Sequence, residues 1–264
     1  RNTWSFIRTS RSCSVWRLTC SLYRLSRLAV ERGESNLGME TAVLSSEQIY
    51  ERNAAANHQT NYYVAPVAAP SKPFYKAVKR AFDVLVSLLG LLVLGIPMLL
   101  LALLIQLDSE GPAIFAQERL GKDGVPFTMY KFRTMRLDAE KNGPQWASEN
   151  DQRCTKLGHI IRKSRADELP QLVNVLKGEM SLVGPRPERE FFYEEFEQYI
   201  HGFSQRLKVT PGITGWAQVN GGYNLLPEEK IVYDMEYISN CSVWMDIKCL
   251  LRTVGVVFEH KGAR

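Results

Sequence analysis

The sequence predicts an α+β fold, mostly helical and membrane-attached, and three observations carry that prediction. From Val84 to Ile105 no side chain is charged, which is long enough for a membrane segment. Four later segments place apolar residues at helical spacing. Before them, "AIFAQERLGKDGVPFTMYKFRTM" reads as a small β-hairpin turning at Lys122-Asp123-Gly124.

The apolar run lies in "KRAFDVLVSLLGLLVLGIPMLLLALLIQLDSEGP". A continuous helix over Ala81–Leu107 would be about 40 Å long at ~1.5 Å per residue, more than the ~30 Å hydrocarbon core, although tilt could absorb the excess. Pro97, two residues after Gly95, is a weak point. Lys72, Lys76, Lys79 and Arg80 precede the run, and Arg119 and Lys122 follow it, so positive charge marks no outer end. The residues leave two topologies open: a tilted span, or a helix that breaks at Pro97 and returns. At such a break the freed carbonyls need partners, such as protein packing or the Ser87 hydroxyl.

The four helical segments follow the hairpin. "TKLGHIIRKS" carries Leu157, Ile160 and Ile161, and "ADELPQLVNVLKG" carries Leu169, Leu172, Val173 and Leu176. "REFFYEEFEQYIHGF" aligns Phe192, Phe196, Tyr199 and Phe203, and "SVWMDIKCLLRTVGVVF" aligns Ile247, Leu250, Leu251, Val254 and Phe258. Such stripes suit core packing. Flanked by Lys248 and Arg252, the last also suits an amphipathic helix lying in a membrane interface.

Charge is uneven. Residues 1–38 hold seven Arg and two acids, and the remaining 226 residues balance at 26 basic and 26 acidic side chains. That balance gives no argument for nucleic acid as a partner. The Arg- and Ser-rich start resembles a transit peptide, but is read as an upstream extension with Met39 as the start. Residues 40–73, with several prolines and little periodicity, read as a loose arm. Cys13, Cys20, Cys154, Cys241 and Cys249 show neither metal spacing nor a disulfide framework, and read as reduced thiols.

Chemistry concentrates in "RADELPQLVNVLKGEMSLVGPRP", Arg165 to Pro187. Pro170 is tolerated only in a first helical turn, so the helix should begin near Asp167, with Asp167 as N-cap and a stop at Lys177-Gly178. An N-cap role alone would account for Asp167, worth about 1 kcal/mol, and Glu168 would suit the dipole. The same helix start also attracts phosphate, where an ionised carboxylate can act as nucleophile or hold Mg²⁺. Arg162 lies five residues before Asp167, and Arg186 is stiffened between Pro185 and Pro187. Lys131 and Arg133, two apart in "KFRTM", should share a face. "PGITGWAQVNGG", with Thr214, Gln218 and Asn220, is either a plain tight turn or a backbone cradle for phosphate.

In combination these stretches resemble the bacterial sugar transferases, the monotopic polyprenyl-phosphate glycosyl-1-phosphate transferases. The matching pieces are "KRAFDVLVSLLG", "FAQERLGKDGVPFTMYKFRTM", "RKSRADELPQLVNVLKGEMSLVGPRPE", "VTPGITGWAQVNG" and "YISNCSVWMDIKCLLRTVGVV", covering about residues 72–258. The resemblance implies three parts: an N-terminal arm (1–71), a membrane-embedded re-entrant helix (72–110) and a cytoplasmic catalytic domain (111–264). It implies a membrane break at Pro97, although many members have Ser-Pro there and this chain has Ile96-Pro97.

The resemblance also implies the chemistry. Asp167 would be the nucleophile on a nucleoside-diphosphate sugar, probing toward the sugar-linked phosphorus, and Glu168 its catalytic partner. Arg162 and Arg186 match family positions that hold phosphate, and Lys131, Arg133, Thr214 and Gln218 are expected from the reading of the residues above to bind phosphate or substrate with them. Mg²⁺, with Asp167 as a ligand, would be the cofactor. Polyprenyl phosphate (undecaprenyl phosphate) would accept the phosphosugar at the cytoplasmic face of the bacterial inner membrane, beginning exopolysaccharide or O-antigen synthesis. Membrane lipid and a homodimer partner are further expectations, and the "VNGGYN" form of the loop favours a UDP-hexose. Two alternatives remain: a membrane-anchored scaffold of a polysaccharide assembly complex without catalysis, and a spanning anchor carrying a nucleotide-binding module.

Overall fold

A computed structural model of the chain describes residues 61–141, 151–222 and 225–258, all within the unit Leu44–Arg264. The expectations for residues 1–60, including Met39, Cys13 and Cys20, lie outside the described residues.

Helix α1 (Pro73–Asp108) contains the whole apolar run, and at 36 residues it extends for about 54 Å along its path. It starts on Pro73, whose fixed φ and missing N–H suit a first turn. Pro97 sits inside α1 and does not end it, so the break expected there is not a break in secondary structure. Nor does Ser87 serve a freed carbonyl: its buried hydroxyl has no partner among the described residues.

Polar residues before the run tie α1 to the rest of the chain. Asp83 Oδ1 accepts from Leu182 N at 3.0 Å, and Lys79 pairs with Asp246 at 3.0 Å. Arg80 donates to the Val175 and Leu176 carbonyls at 2.5 and 2.7 Å. Lys79 and Arg80, read from sequence as flanking charges that report topology, are therefore fastened into the fold. The far end is held too: Ile105 is buried with Ala113, Phe132 and Ile161. Between these attachments Leu92, Val93, Ile96 and Leu99 are each 72–73 % exposed. Thus α1 grips the same body near both ends and presents bare hydrocarbon in its middle.

The hairpin forms as expected. β2 (Ile114–Leu120) and β3 (Pro126–Phe132) pair antiparallel from Ile114↔Phe132 to Leu120↔Pro126. Asp123 takes the left-handed conformation at the turn, φ 58°, which Asp tolerates better than most residues.

Helix α2 (Lys156–Lys163) is capped by Thr155, whose side chain accepts from Gly158 N at 2.9 Å. After it a 3₁₀ turn, Ala166–Glu168, leads into α3 (Gln171–Lys177). Asp167 is therefore not the N-cap of α3, as the sequence suggested. Pro170 has no N–H to return to the Ala166 carbonyl, so Leu169 N takes that carbonyl in a tighter bond at 3.2 Å. The expected stop does form, with Gly178 left-handed at φ 88°.

Five short elements and two longer helices complete the fold: β4 (Ser181–Val183), α4 (Glu190–Glu197), β5 (Ile200–His201), β6 (Gly212–Thr214), α5 (Trp216–Asn220), α6 (Pro227–Ser239) and α7 (Val243–Phe258). β4 and β6 pair in parallel, Ser181↔Gly212 and Val183↔Thr214. The aromatic stripe from Phe192 to Phe203 does not run along a single helix, because α4 stops at Glu197 and Gly202 turns left-handed at φ 97°. Its rings still cluster, with Phe196 5.2 Å from Phe203 and 5.8 Å from Phe192. The core joins Val175, Met180, Ile200, Phe203, Tyr237 and Ile238.

The arm read as loose is docked over its described part. β1 (Tyr62–Tyr63) pairs in parallel with β5, and Val67 N donates to Gln205 Oε1 at 2.7 Å. Backbone pairing needs no apolar periodicity, which is why the segment looked structureless in sequence. On α7, Met245 and Cys249 face the core, while Trp244, Ile247, Leu251 and Val254 are exposed. That stripe makes α7 amphipathic, with one face in the core and an apolar face left exposed.

Candidate active site

The 3₁₀ turn sets Asp167 and Glu168 side by side in the wall of a cavity of about 440 Å³. Arg165, immediately before it, is left-handed at φ 59° without being glycine. Such backbone costs about 1 kcal/mol or more, and here it swings the chain out of α2 into the turn that carries the acids. Both carboxylates are largely buried, at 8 % and 9 % exposure.

Their surroundings differ. Glu168 Oε1 lies 2.8 Å from Arg186 Nη2 and 3.5 Å from Lys131 Nζ. Burial alone would push the Glu168 carboxyl up, but Arg186, Lys131 and Arg165 outweigh it and hold it down to about 2. Asp167 is only within 4.0 Å of Lys131. Burial and the neighbouring Glu168 charge push its carboxyl upward against Lys131, Arg162 and Arg186. Glu168 is the fixed anion of the pair. Asp167 is the more basic oxygen donor, and basicity favours nucleophilic attack.

The cavity is strongly cationic: ten basic and four acidic side chains line it among the described residues. The structure brings Lys131, Arg162, Arg186 and Gln218 to its wall beside Asp167 and Glu168, as the sequence suggested. Arg162 Nε donates to Thr134 Oγ1 at 2.8 Å, which fixes its reach. Gln218 Nε2 donates to the Ile213 carbonyl at 2.9 Å, so its orientation is set by the loop itself.

Two expectations need correction. Arg133 touches the cavity, but its guanidinium donates to the carbonyls of Ile105, Ser109, Glu110 and Gly111 around the end of α1. Its backbone still pairs across the hairpin, Arg133 N donating to the Ala113 carbonyl at 2.8 Å, and it is the cluster of carbonyls near the end of α1 that engages the side chain. Thr214 is absent from the cavity wall; its hydroxyl is 2.7 Å from that of Thr253. The glycines of its loop serve close packing, since a Cβ on Gly212 would lie 2.1 Å from Gly184 N. Tyr223 and Asn224 of the "VNGGYN" stretch lie outside the described residues.

Sequence reasoning missed much of the cavity: Arg119, Arg136, Arg153, Arg165, Arg206 and Lys230 also line it. Arg119 pairs with Glu188 at 3.1 Å, and Glu188 directly follows the Pro-Arg-Pro step. A signal existed in that "PRPE" and in the "RADE" turn, where each acid follows an arginine by two or three positions.

Such an arrangement suits a phosphate diester or anhydride, with cations to take up charge and one basic carboxylate to meet phosphorus. A family profile described as bacterial sugar transferase matches residues 74–260. The chain is 43 % identical over 195 residues to the UDP-N-acetylgalactosamine-undecaprenyl-phosphate N-acetylgalactosaminephosphotransferase of Aeromonas hydrophila, covering 73 % of this chain and 46 % of the relative. It is 42 % identical over 193 residues to the UDP-glucose:undecaprenyl-phosphate glucose-1-phosphate transferase of Escherichia coli strain K12, covering 71 % and 42 %. With a similarly named enzyme of Caulobacter vibrioides it shares 43 % identity over 182 residues, covering 67 % and 68 %. The chain thus spans less than half the length of the first two relatives. The match to the profile over most of its length, from the start of α1 past the end of α7, places this chain in the bacterial sugar transferase family.

Proposed function

We propose that this chain transfers a sugar-1-phosphate from a nucleoside-diphosphate sugar to polyprenyl phosphate, through a covalent phosphosugar on Asp167. The printed names of the relatives, which specify UDP-sugars and undecaprenyl phosphate for those proteins, support these substrate classes. The observation that carries the reading is the division between the two acids: Glu168 anchored by Arg186 and Lys131, Asp167 basic and less encumbered.

In the first step an Asp167 carboxylate oxygen attacks the sugar-linked phosphorus. The bond from that phosphorus to the bridging oxygen breaks, and nucleoside monophosphate leaves with the electron pair. In the second step an oxygen of polyprenyl phosphate attacks the same phosphorus. The bond to Asp167 breaks, the carboxylate is restored, and a lipid diphosphate-linked sugar departs. Lys131, Arg162 and Arg186 counter the charge spread over the phosphoryl oxygens. Glu168 keeps Arg186 and Lys131 beside that charge.

Mg²⁺ fits the donor set. Asp167, whose nearest paired cation is 4.0 Å away, would hold it, and no third ligating side chain clusters there among the described residues. Substrate phosphates and water would complete its shell, as Mg²⁺ prefers. When bound, it supplies further neutralisation of the diphosphate.

The setting proposed is the cytoplasmic face of the bacterial inner membrane, with α1 bent at Pro97 rather than broken there, so that it enters one leaflet and returns. This topology is supported by attachment of both ends of α1 to one body, with its exposed middle between them. Incubation with UDP-sugar alone, followed by intact-mass and peptide mass spectrometry, tests the mechanism. A phosphosugar on residue 167 is the expected product, and its absence in protein that forms lipid-linked product would remove the covalent step.

A further inference from the structure

Arg206 is the least explained cation of the cavity. It lies in the 3₁₀ segment Phe203–Lys208, is 3 % exposed, and still contributes to the cavity wall. Its guanidinium has three nitrogen donors, and two are committed. Nε donates to Asp234 Oδ2 at 2.6 Å, and Nη2 donates to the backbone carbonyl of Arg186 at 2.9 Å. The plane rests against Phe203, 4.8 Å from the ring centroid, and Tyr193, 5.9 Å away. Nη1 is buried and has no partner among the described residues.

A buried charged donor without an acceptor is costly, more so than a neutral one. Asp234 is 1 % exposed and absent from the cavity wall, so it balances the charge from behind. Together the two committed donors fix the orientation of the guanidinium, at little further entropy cost on ligand binding. An acceptor supplied by the substrate would complete it.

Arg186 indicates which part of the substrate. Its side chain reaches forward to Glu168, while its carbonyl is held by Arg206 from the other side. Arg206 and Glu168 are thus joined through Arg186, one holding its carbonyl and the other its guanidinium, and all three line the same cavity. With the sugar-linked phosphorus at Asp167, that position suits the departing half of the donor substrate. We propose that Arg206 is a substrate-contacting residue whose Nη1 donates to the nucleoside-monophosphate half of the nucleotide sugar. This rests on the proposed function for the choice of nucleotide.

The test measures equilibrium binding of UMP, UDP and UDP-glucose to full-length membrane-extracted protein carrying D167N, which needs no turnover. Adding R206K keeps a cation for Asp234 but removes the forked donor. The expected result is a tenfold or greater loss of affinity, equal for all three nucleotides, with the Michaelis constant for polyprenyl phosphate in the otherwise native R206K enzyme changed less than twofold. Should R206K fail a thermal-unfolding check, R206Q/D234N exchanges the buried ion pair for neutral amides and is read in the same way. Unchanged UMP affinity in a folded variant, or a loss confined to UDP-glucose, would overturn the assignment. Failure of the parent D167N protein to bind any uridine nucleotide would instead count against the proposed function and its donor, and would take this assignment with it.

Discussion

Arg186 Nη2 and Glu168 Oε1 meet at 2.8 Å, with Lys131 Nζ 3.5 Å from the same oxygen. One carboxylate oxygen thus gathers two cations that would otherwise repel, and among the described residues the adjacent Asp167 has no paired cation closer than 4.0 Å. The two acids are neighbours in sequence and opposites in electrostatic character.

Replacement of the less encumbered acid is the sharpest test of that difference. D167N should lower turnover by roughly 10³-fold or more while leaving thermal unfolding near that of the parent, as expected when a nucleophile is lost without disturbing packing. Radiolabelled UDP-sugar with membranes and polyprenyl phosphate reads the rate. Near-normal product formation by D167N would exclude Asp167 as the nucleophile.

Protonation of the pair sets the acid side of the activity profile. Asp167 is raised above the ordinary 3.8, so under the proposed mechanism the ionised form that attacks would be lost as pH falls through a value higher than that of a normal aspartate. In E168Q the like charge disappears and Lys131 is released toward Asp167; both changes stabilise the ionised aspartate. The acid limb should therefore move to lower pH, while the plateau rate falls about 10²-fold because Arg186 loses its anchor. Single-turnover rates between pH 4 and 8 would show it, and a limb moving to higher pH would contradict the arrangement.

Stability responds to Glu168 with the opposite sign. Its folded value, about 2, is below the ordinary 4.5, so its contribution is present above 4.5 and is lost as pH falls toward 2. Denaturant unfolding of E168Q should therefore differ most from the parent near neutrality, and the two curves should converge over that acidic window.

R133A should reduce stability by about 2–3 kcal/mol through the carbonyls it abandons at the end of α1. Nucleotide affinity should change less than twofold, as read by UDP titration. A large loss of affinity with unchanged stability would restore Arg133 to the phosphate-binding set.

Membrane course is checked by cysteines placed at the exposed Lys76 and Lys122. If α1 returns to the side it entered, K76C and K122C should both resist an impermeant maleimide in intact cells and both react in inverted vesicles. Labelling from opposite sides would establish a span.

The hairpin and the stop of α3 were legible in sequence because their signals are local: Asp123-Gly124 at a turn, Lys177-Gly178 at a helix end. The acids were legible for the same reason, being adjacent and followed by Pro170. What failed depended on distance. Arg133 looked like a phosphate ligand because nothing nearby in sequence shows that carbonyls just past the end of α1, more than twenty positions earlier, would engage it. Lys79 and Arg80 looked like free flanking charges until Asp246 and the end of α3 took them up. Arg119 and Arg206 were invisible as cavity residues because a wall assembled from eight separate stretches of sequence leaves no periodicity in any of them.

Lys131 and Arg133 stand on either side of Phe132, one reaching the acids and the other the terminus of α1. Under the proposed function, so short a tether would make the height of the two carboxylates above the lipid a property of how deeply α1 is seated. A thicker or thinner bilayer would then raise or lower the chemistry itself relative to the headgroup layer where a lipid-borne acceptor presents its phosphate.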